Sequence, residues 1–391
     1  MKVSQLKSKI KSFYTRFIAP PKKWQTPRKS KILVYGACGI EVMLPYLKNY
    51  NVTIMAVRGE FINLPCFFLA MLKIDFWKGK LFNAYVETFI CAVSPQIIIT
   101  FVDNNPAFFE ISKRFKDIKT IFIQNGTRGE SGDIFEYLVK SESYHVDYIL
   151  VHGKSIGLHY KNYISGQLIS IGSLKNNSAR KLTNVPNDYV LFISQWHPKP
   201  DNGIFYVEAD GTPIYWDDFF EPESMVLAFI DKWCVKNNKH LKICGRCKDD
   251  DALEKFFYAD RLINCAWDFI PNTNNYSAYK LIDAAEISVF IDSTLGYESL
   301  ARGKKTAAFT CRGFSISSDA ANFGWPQKLV ENGPFWTNNQ DQNQFKRIMD
   351  YLNSVDNDDW EKVCYHSIND IIEFDPDNSR LVTLLDKLVQ N

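Results

Sequence analysis

Short apolar runs alternate with amphipathic stretches along most of this chain. The runs Ile32–Ala37, Gln96–Val102 and Lys119–Gln124 are rich in β-branched residues, and they predict strands that are buried on both faces. The stretches between them carry apolar residues at three- and four-residue spacing, which predicts helices. Strands that alternate with helices in this way are typical of a parallel, doubly wound α/β sheet.

The alternating pattern stops at the polar stretch 174–187 and then starts again. Further strands are predicted at Tyr189–Ser194, His240–Cys244, Ile287–Ile291 and Thr306–Phe309. We therefore predict two doubly wound, Rossmann-like domains that face each other across a cleft. The predicted bounds are an N-terminal segment at 1–30, a first domain at 31–180 and a second domain at 181–391.

The N-terminal segment differs from the rest of the chain in charge. Residues 1–31 contain ten Lys or Arg and no acidic residue, so the remainder carries about −8 against +2 for the whole chain. The apolar residues of 3–18 have helical spacing, which predicts a basic amphipathic helix that contacts an anionic membrane surface through residues 2–19. A helix docked on the protein's own body, or a disordered basic tail, are the alternatives. The acidic remainder argues against a nucleic-acid partner.

The apolar runs are too short to predict a membrane-spanning helix. The longest, Phe61–Ile74, contains Pro65 and is interpreted as a buried helix. The nine cysteines are scattered, which predicts reduced thiols and a cytoplasmic location. Cys244 and Cys247 form a lone CxxC pair without a second Cys or His pair, so no zinc site is predicted.

Ile287–Phe309 has the pattern strand, tight turn, helix, strand. Asp292, Ser293 and Thr294 supply capping groups where the helix begins, at the predicted carboxyl edge of a sheet. A helix start at that edge is where α/β proteins hold a phosphate or a nucleotide. Glu298, one turn further along, is placed to accept hydrogen bonds from a ribose. An ordinary capped βαβ unit remains the alternative. The predicted donor-binding residues of this helix are Ser293, Thr294, Leu295, Gly296 and Glu298.

Polar residues also follow the predicted strands of the first domain. Asp103 comes directly after Gln96–Val102, and a polar run follows Lys119–Gln124. The carboxyl ends of parallel strands line the ligand crevice in such folds, so these side chains are predicted to meet there. The residues of this polar run that are predicted to contact substrate are Asn125, Gly126, Thr127 and Arg128.

The second domain offers further candidates. His197 and Pro198 follow Tyr189–Ser194, and the aromatic-rich stretch 200–222 is predicted to be an ordered active-site loop. Asp217 and Asp218 on this stretch are rival catalytic carboxylates.

Several segments together resemble a known family. The stretch 279–309 is similar to the C-terminal domain of GT-B glycosyltransferases, and more narrowly to bacterial surface-carbohydrate biosynthesis proteins of that class. The segments IQNGTR at 123–128, FISQWHP at 192–198, FGWP at 323–326 and GPFW at 333–336 fit the same family. The resemblance covers most of 30–355.

The resemblance implies a GT-B fold, a nucleotide-sugar donor and a lipid-linked or glycan acceptor. Some similar proteins are CMP-Kdo-dependent transferases, in which an HP pair and a Ser/Thr turn surround the CMP; His197-Pro198 and Ser293-Thr294 would take those parts. His197-Pro198 lies on the first strand of the second domain, which departs from that alignment and leaves the donor open. A CDP-polyol phosphotransferase-like enzyme and a non-catalytic assembly protein are the alternatives.

Group transfer assigns roles to the candidate residues. The predicted catalytic residues are Asp103, Arg128 and His197. Asp103 is predicted to act as base or nucleophile, and Arg128 and Asn125 to position sugar or carboxylate groups. Arg246 and Arg312 are predicted to neutralise the donor phosphate together with the helix start. Because the helix start and these arginines can neutralise the donor phosphate without a metal, neither a metal ion nor another cofactor is expected. The alternatives are purely structural roles: Asp103 caps the helix near Pro106, Arg128 pairs with Glu130, and His197 is a turn residue.

Overall fold

The computed structural model describes residues 14–130, 133–138, 144–183, 185, 188–208, 210–246, 251–316 and 318–390, without the side chains of Arg16, Asp251, Phe314 and Ser315. Two six-stranded sheets form the centres of two domains, and every strand pair in both sheets is parallel. The predicted α/β class with two doubly wound domains is confirmed.

The first sheet has the order β3-β2-β5-β6-β7-β8. A short pair, β1 and β4, lies beside it. The strands of the first domain are β1 (Lys22–Lys23), β2 (Ile32–Tyr35), β3 (Val52–Met55), β4 (Ile62–Asn63), β5 (Ile97–Thr100), β6 (Lys119–Ile123), β7 (Tyr144–Val151) and β8 (Ile164–Ser170). The helices that follow these strands are α1 (Ile40–Leu47), α2 (Leu64–Met71), α3 (Leu81–Val93), α4 (Ile111–Arg114), α5 (Ile134–Tyr137), α6 (Lys154–Tyr160) and α7 (Leu174–Ser178).

The second sheet has the order β13-β12-β9-β14-β15-β16, with a β10–β11 hairpin outside it. Its domain contains β9 (Tyr189–Ile193), β10 (Ile204–Val207), β11 (Pro213–Tyr215), β12 (His240–Cys244), β13 (Trp267–Ile270), β14 (Ile287–Phe290), β15 (Thr306–Phe309) and β16 (Trp336–Thr337). The remaining helices are α8 (Trp216–Lys236), α9 (Asp251–Ala259), α10 (Ser277–Ala284), α11 (Thr294–Ala301), α12 (Arg312–Ile316), α13 (Gln342–Ser354), α14 (Asn357–Ile368) and α15 (Ser379–Gln390).

Central strands such as β2, β5 and β14 are buried along their whole length, because helices cover both faces of each sheet. Close helix packing is visible at Gly296 in α11, where an added Cβ would lie 2.0 Å from the Phe290 ring. Only glycine lets α11 approach β14 this closely. The start of α11 is thereby fixed at the carboxyl edge of the sheet.

The last helix crosses back to the first domain. Leu381, Leu384 and Leu385 of α15 belong to the same apolar cluster as Ile32 and Ile97 of the first sheet. The sequence placed this helix in the second domain, at 181–391. Its apolar stripe cannot show which sheet it covers, because either sheet offers a similar surface.

The order of strands in each sheet reverses once, between β2 and β5 and between β9 and β14. Ligands bind outside the carboxyl ends of strands at such switch points. Asp103 follows β5, and Asp292 follows β14. The topology therefore places both residues at positions where a ligand crevice is expected.

Candidate functional site

A cavity of about 320 Å³ lies between the carboxyl edges of the two sheets. The first domain lines it with the loop after β6 and with His152 after β7. The second domain lines it with Asp292, with aromatic residues of the β10–β11 hairpin and α8, and with the segment 316–325. The aromatic-rich stretch 200–222 therefore contributes to the cavity wall, as the sequence predicted for an active-site loop.

Asp103 anchors the loop after β6. It is 1% exposed, and its carboxylate accepts hydrogen bonds from Arg128 Nε at 2.7 Å and Nη2 at 2.6 Å, and from the Asn125 N–H at 2.8 Å. Both oxygens are therefore engaged, and this geometry speaks against Asp103 as a free base or nucleophile. Its carboxylate instead holds the Arg128 guanidinium at the cavity wall.

The structural roles predicted as alternatives for Asp103 and Arg128 also differ from the structure. Asn105, not Asp103, caps the helical turn that begins at Pro106, with its side chain 3.2 Å from the Ala107 N–H. Arg128 pairs with Asp103 and lies 3.5 Å from Asp133. These partners are distant or irregularly spaced in sequence, so no local motif indicated them.

The loop after β6 meets the start of α11 directly. The Thr127 N–H donates to Thr294 Oγ1 at 2.9 Å, and the two hydroxyl oxygens are 3.0 Å apart. Two of the expected phosphate-binding N–H groups already have partners. The Leu295 N–H donates to Ser293 Oγ at 3.2 Å, and the Gly296 N–H donates to the Ser293 carbonyl at 3.0 Å.

Glu298 has a different role from the predicted ribose contact. It is 4% exposed, the Ser173 hydroxyl donates to Oε1, and the Tyr279 hydroxyl donates to Oε2 at 2.9 Å. Burial raises the pKa of its carboxyl group. Because both oxygens are occupied below the surface, Glu298 joins the end of the first domain to α10 and α11.

His197 and Arg246 are brought together at the ends of β9 and β12. Arg246 Nη1 donates to His197 Nδ1 at 2.8 Å and to the Trp196 carbonyl at 3.2 Å. Burial, reinforced by the Arg246 charge, lowers the pKa of His197 to about 4. The pair lies outside the residues that line the cavity. The predicted roles of His197 in catalysis and of Arg246 in donor binding stay predictions.

Arg312 is fully buried and is not placed to contact a phosphate. Its Nε lies 2.7 Å from Asp292 Oδ2, its Nη2 lies 3.7 Å from Glu223 Oε2, and its guanidinium stacks 4.0 Å from the Phe219 ring. Arg312 therefore forms an ion pair with Asp292 from the protein interior, on the side away from the cavity. Asp292 Oδ1 is buried and has no hydrogen-bond partner among the described residues, and Asp292 lines the cavity.

The rival carboxylates Asp217 and Asp218 lie in the first turn of α8, outside the cavity lining. Both are exposed, and Asp217 accepts hydrogen bonds from Lys199 Nζ at 2.7 and 2.8 Å. Of these three carboxylates, Asp292 is the one that reaches the cavity.

His152 is a cavity residue that the sequence did not reveal. It is 3% exposed, it lines the cavity, and its Nε2 has no hydrogen-bond partner in the described part of the chain. Burial lowers the pKa of its imidazole to about 4. The available signal was its position, directly after β7, which matches the position of Gln124 after β6.

We expect His152 to make folding sensitive to acid. Between pH 6.5 and 4 an unfolded chain binds a proton at this imidazole and the folded protein does not, so stability falls as the pH falls. From pH 6.5 to about pH 5 the loss is about 2 kcal/mol, because one pKa unit corresponds to about 1.4 kcal/mol. In His152→Gln, urea unfolding at each pH should show a loss smaller by about that amount.

His145→Gln is the matched control, because His145 is an exposed histidine on the same strand, β7. It should keep the wild-type pH dependence. Equal pH dependence in His152→Gln and the wild type would show that the buried imidazole does not titrate as described.

Within the described residues, no group of three His, Cys, Asp or Glu side chains is placed to hold a metal ion. No helix of the described ranges is long and apolar enough to cross a bilayer. Cys247 of the CxxC pair and residues 2–13 of the basic segment lie outside the described residues.

The fold has relatives among solved structures. A "putative UDP-N-acetylglucosamine 2-epimerase" from Listeria monocytogenes has a TM-score of 0.55 at 11% identity, covering 92% of this chain and 96% of that chain. MnaA of S. aureus, in a structure with UDP, has a TM-score of 0.52 at 9% identity, covering 93% and 97%. UDP-GlcNAc 2-epimerase from Methanocaldococcus jannaschii has a TM-score of 0.51 at 12% identity, covering 91% and 99%. These likenesses confirm the GT-B-like fold.

No curated protein matches the chain in sequence. A family model described as "putative O-antigen biosynthesis protein" matches residues 121–389. The match includes the loop after β6, His152 and residues 181–389 of the second domain, and it confirms the resemblance to surface-carbohydrate biosynthesis proteins. Because the model covers more than half of the chain, the protein belongs to this O-antigen biosynthesis family.

Proposed function

We propose that this protein is a glycosyltransferase of bacterial surface-polysaccharide biosynthesis, which moves a sugar from a nucleotide donor to a glycan or lipid-linked acceptor. The observation that carries the proposal is the cavity between the two carboxyl edges, with polar groups from both domains in its wall. Group transfer needs two partners held side by side, and a cleft lined by two domains provides one surface for each. Membership of the O-antigen family gives the chemistry its biological setting.

Residues of both domains in the cavity wall take part in the proposed reaction. We assign His152 as the base: the acceptor hydroxyl gives its proton to the neutral imidazole, its oxygen bonds to the anomeric carbon, and the bond from that carbon to the phosphate oxygen breaks. The nucleotide leaves with the electron pair. The lowered pKa keeps the His152 imidazole unprotonated at neutral pH, so that it can accept a proton, and the negative charge of Asp103 favours the protonated form that results.

Arg128 and Asp292 complete the proposed site. Asp103 and Asp133 fix the Arg128 guanidinium, which is positioned for a phosphate or for the carboxylate of an acidic sugar. Asp292, held by Arg312, presents Oδ1 for a sugar hydroxyl or for positive charge that develops at the anomeric carbon. Ser293 and Thr294 place the positive end of α11 beside the loop after β6.

The test is a donor panel of CMP-Kdo and of UDP-, GDP- and CDP-linked donors, with and without a chelator. We expect one sugar nucleotide to bind and to be consumed faster with an acceptor fraction present, at a rate that the chelator does not change. UDP is the nucleotide in one structure of similar fold, and CMP-Kdo follows from the sequence resemblance, so both are essential members of the panel.

Other outcomes of this panel separate the competing functions. Release of CMP with phosphate retained on the product would identify polyol-phosphate transfer. Epimerisation of a donor without an acceptor would overturn the transfer proposal. A folded protein that binds no nucleotide would support a non-catalytic assembly role.

We further propose that the enzyme acts at the inner face of the cytoplasmic membrane, held there in part by its basic N-terminal segment. Residues 1–31 carry ten Lys or Arg and no acid, which is the composition that anionic lipids attract.

A further inference from the structure

Exposed apolar side chains cluster on α2 and the segment that follows it. We name this cluster the α2 surface; its members are Phe68, Leu69, Leu72, Ile74 and Trp77, with exposed fractions of 56, 52, 82, 67 and 71%. The sequence predicted a buried helix at Phe61–Ile74, and that prediction is wrong for this face. Contiguous exposed apolar side chains of this size are typical of surfaces that bind another protein, a membrane or a ligand.

The α2 surface is a fixed part of the fold. Cys66 and Ala70 on the opposite face of α2 are buried. The centroid of the Phe67 ring lies 5.5 Å from that of Phe17 and 5.7 Å from that of Phe76. The indole N–H of Trp77 donates to the Met71 carbonyl at 2.8 Å. Phe68 and Leu69 are therefore presented to solvent by α2, and Leu72, Ile74 and Trp77 by the segment that follows it.

Lysines outnumber acidic residues in the stretch that contains the α2 surface. Within 61–80 the chain carries Lys73, Lys78 and Lys80 against one acidic residue, Asp75. Lys78 and Lys80 are exposed, whereas Lys73 lies 3.4 Å from Glu87. Apolar residues bordered by lysines, with a tryptophan among them, are typical of segments that bind at the interface of an anionic bilayer.

The basic N-terminal segment reaches the body of the protein at this same place. Phe17 is buried, with its ring 5.5 Å from Phe67 and 6.0 Å from Tyr85. Tyr14 and Ile18, on either side, are more than half exposed. The described part of the N-terminal segment thus extends the α2 surface.

We propose that the α2 surface is a membrane-docking surface that inserts its apolar side chains into an anionic lipid interface. A second copy of this chain fits the surface less well, because it would bring the same lysines face to face. The lipid interface matches both the apolar residues and the charge around them.

The position of the α2 surface also bears on the acceptor. The loop before β4 is joined to the loop after β5 by the Arg58–Asn104 hydrogen bond, next to Asp103. The loop between β3 and β4, which precedes α2, therefore lies at the same edge of the sheet as the cavity. If the proposed function is correct, docking at the α2 surface would hold this edge near the membrane that carries a lipid-linked acceptor.

The test is co-sedimentation of the full chain with vesicles of equal parts phosphatidylcholine and phosphatidylglycerol. Leu72→Glu combined with Ile74→Glu should weaken partitioning by tenfold or more, on the order of the effect of removing two apolar side chains from the interface. Phe256→Glu with Ile263→Glu is the matched control, because these residues are 72% and 79% exposed in the second domain. The control should bind like the wild type, and vesicles of phosphatidylcholine alone should bind the wild type weakly.

Vesicle binding is measured without substrate, so its outcome is independent of the proposed transfer reaction. Unchanged partitioning of the Leu72→Glu, Ile74→Glu variant, with the loss seen only on deletion of residues 2–13, would overturn the proposal in favour of the N-terminal segment alone. A wild-type dimer that this double variant converts to a monomer, with vesicle binding unchanged, would assign the surface to a second copy.

Discussion

His152→Gln should lower the rate of sugar transfer by about 100- to 10,000-fold, the range that general base catalysis contributes. The imidazole is buried in the cavity wall with Nε2 unpartnered among the described residues, so glutamine fills similar space but cannot take the proton. The loss should appear in kcat, and the KM for the donor should stay close to its wild-type value. Steady-state kinetics with the donor that the panel identifies provides the measurement.

His145→Gln again serves as the control. It should keep full activity, because His145 is exposed and its side chain is hydrogen-bonded to Ser165 on β8, outside the residues that line the cavity. Circular dichroism should show that both variants fold. An active and folded His152→Gln would remove the base from the proposed mechanism. A rise in the acceptor KM with unchanged kcat would make His152 a positioning residue.

Asp283→Ala should lower the free energy of unfolding by about 3–5 kcal/mol, the cost of leaving a buried charge without its partner. Arg302 is 2% exposed, and its Nε donates to Asp283 Oδ1 at 2.8 Å. Asp283 also accepts a hydrogen bond from the Leu182 N–H at 2.8 Å, and Arg302 donates to the Ala179 carbonyl at 3.0 Å. This ion pair therefore holds the segment between the domains, and urea unfolding should report its loss.

Adding Arg302→Met to Asp283→Ala should restore part of the lost stability, because the uncompensated charge is removed. Recovery should be incomplete, since the Ala179 carbonyl also loses its donor. Lys362→Ala breaks an exposed ion pair with Asp359 and should leave the unfolding midpoint unchanged. An Asp283→Ala protein as stable as the wild type would show that the pair contributes little to the junction.

The fold could be predicted because its signals are local. Runs such as 32–35, 97–100 and 287–290 are apolar throughout, and a strand covered by helices on both faces requires that composition. The exception is α2, whose apolar composition predicts burial although one of its faces is exposed. Composition alone cannot separate a helix buried in protein from one whose outer face is left for another partner.

The candidate site was predicted in place but not in detail. The loops that carry Asp103, Arg128 and Asp292 do lie at the carboxyl edges of the sheets, as parallel topology requires. Which side chains face the cavity depends on partners distant in sequence. The Asp103 carboxylate is hydrogen-bonded to Arg128, and the Glu298 carboxylate to Ser173 and Tyr279. Arg312 is buried and forms an ion pair with Asp292.

The α/β class, the two α/β domains, the capped start of α11 and the strongly basic beginning of the chain follow from the amino-acid pattern, because each depends on neighbouring residues only. Three features became visible only in the folded protein: which carboxylates already have partners, that His152 Nε2 has no hydrogen-bond partner among the described residues, and that α15 returns to the first sheet. These features depend on contacts between residues that are far apart in the chain, whose geometry is set only when both domains have folded and packed.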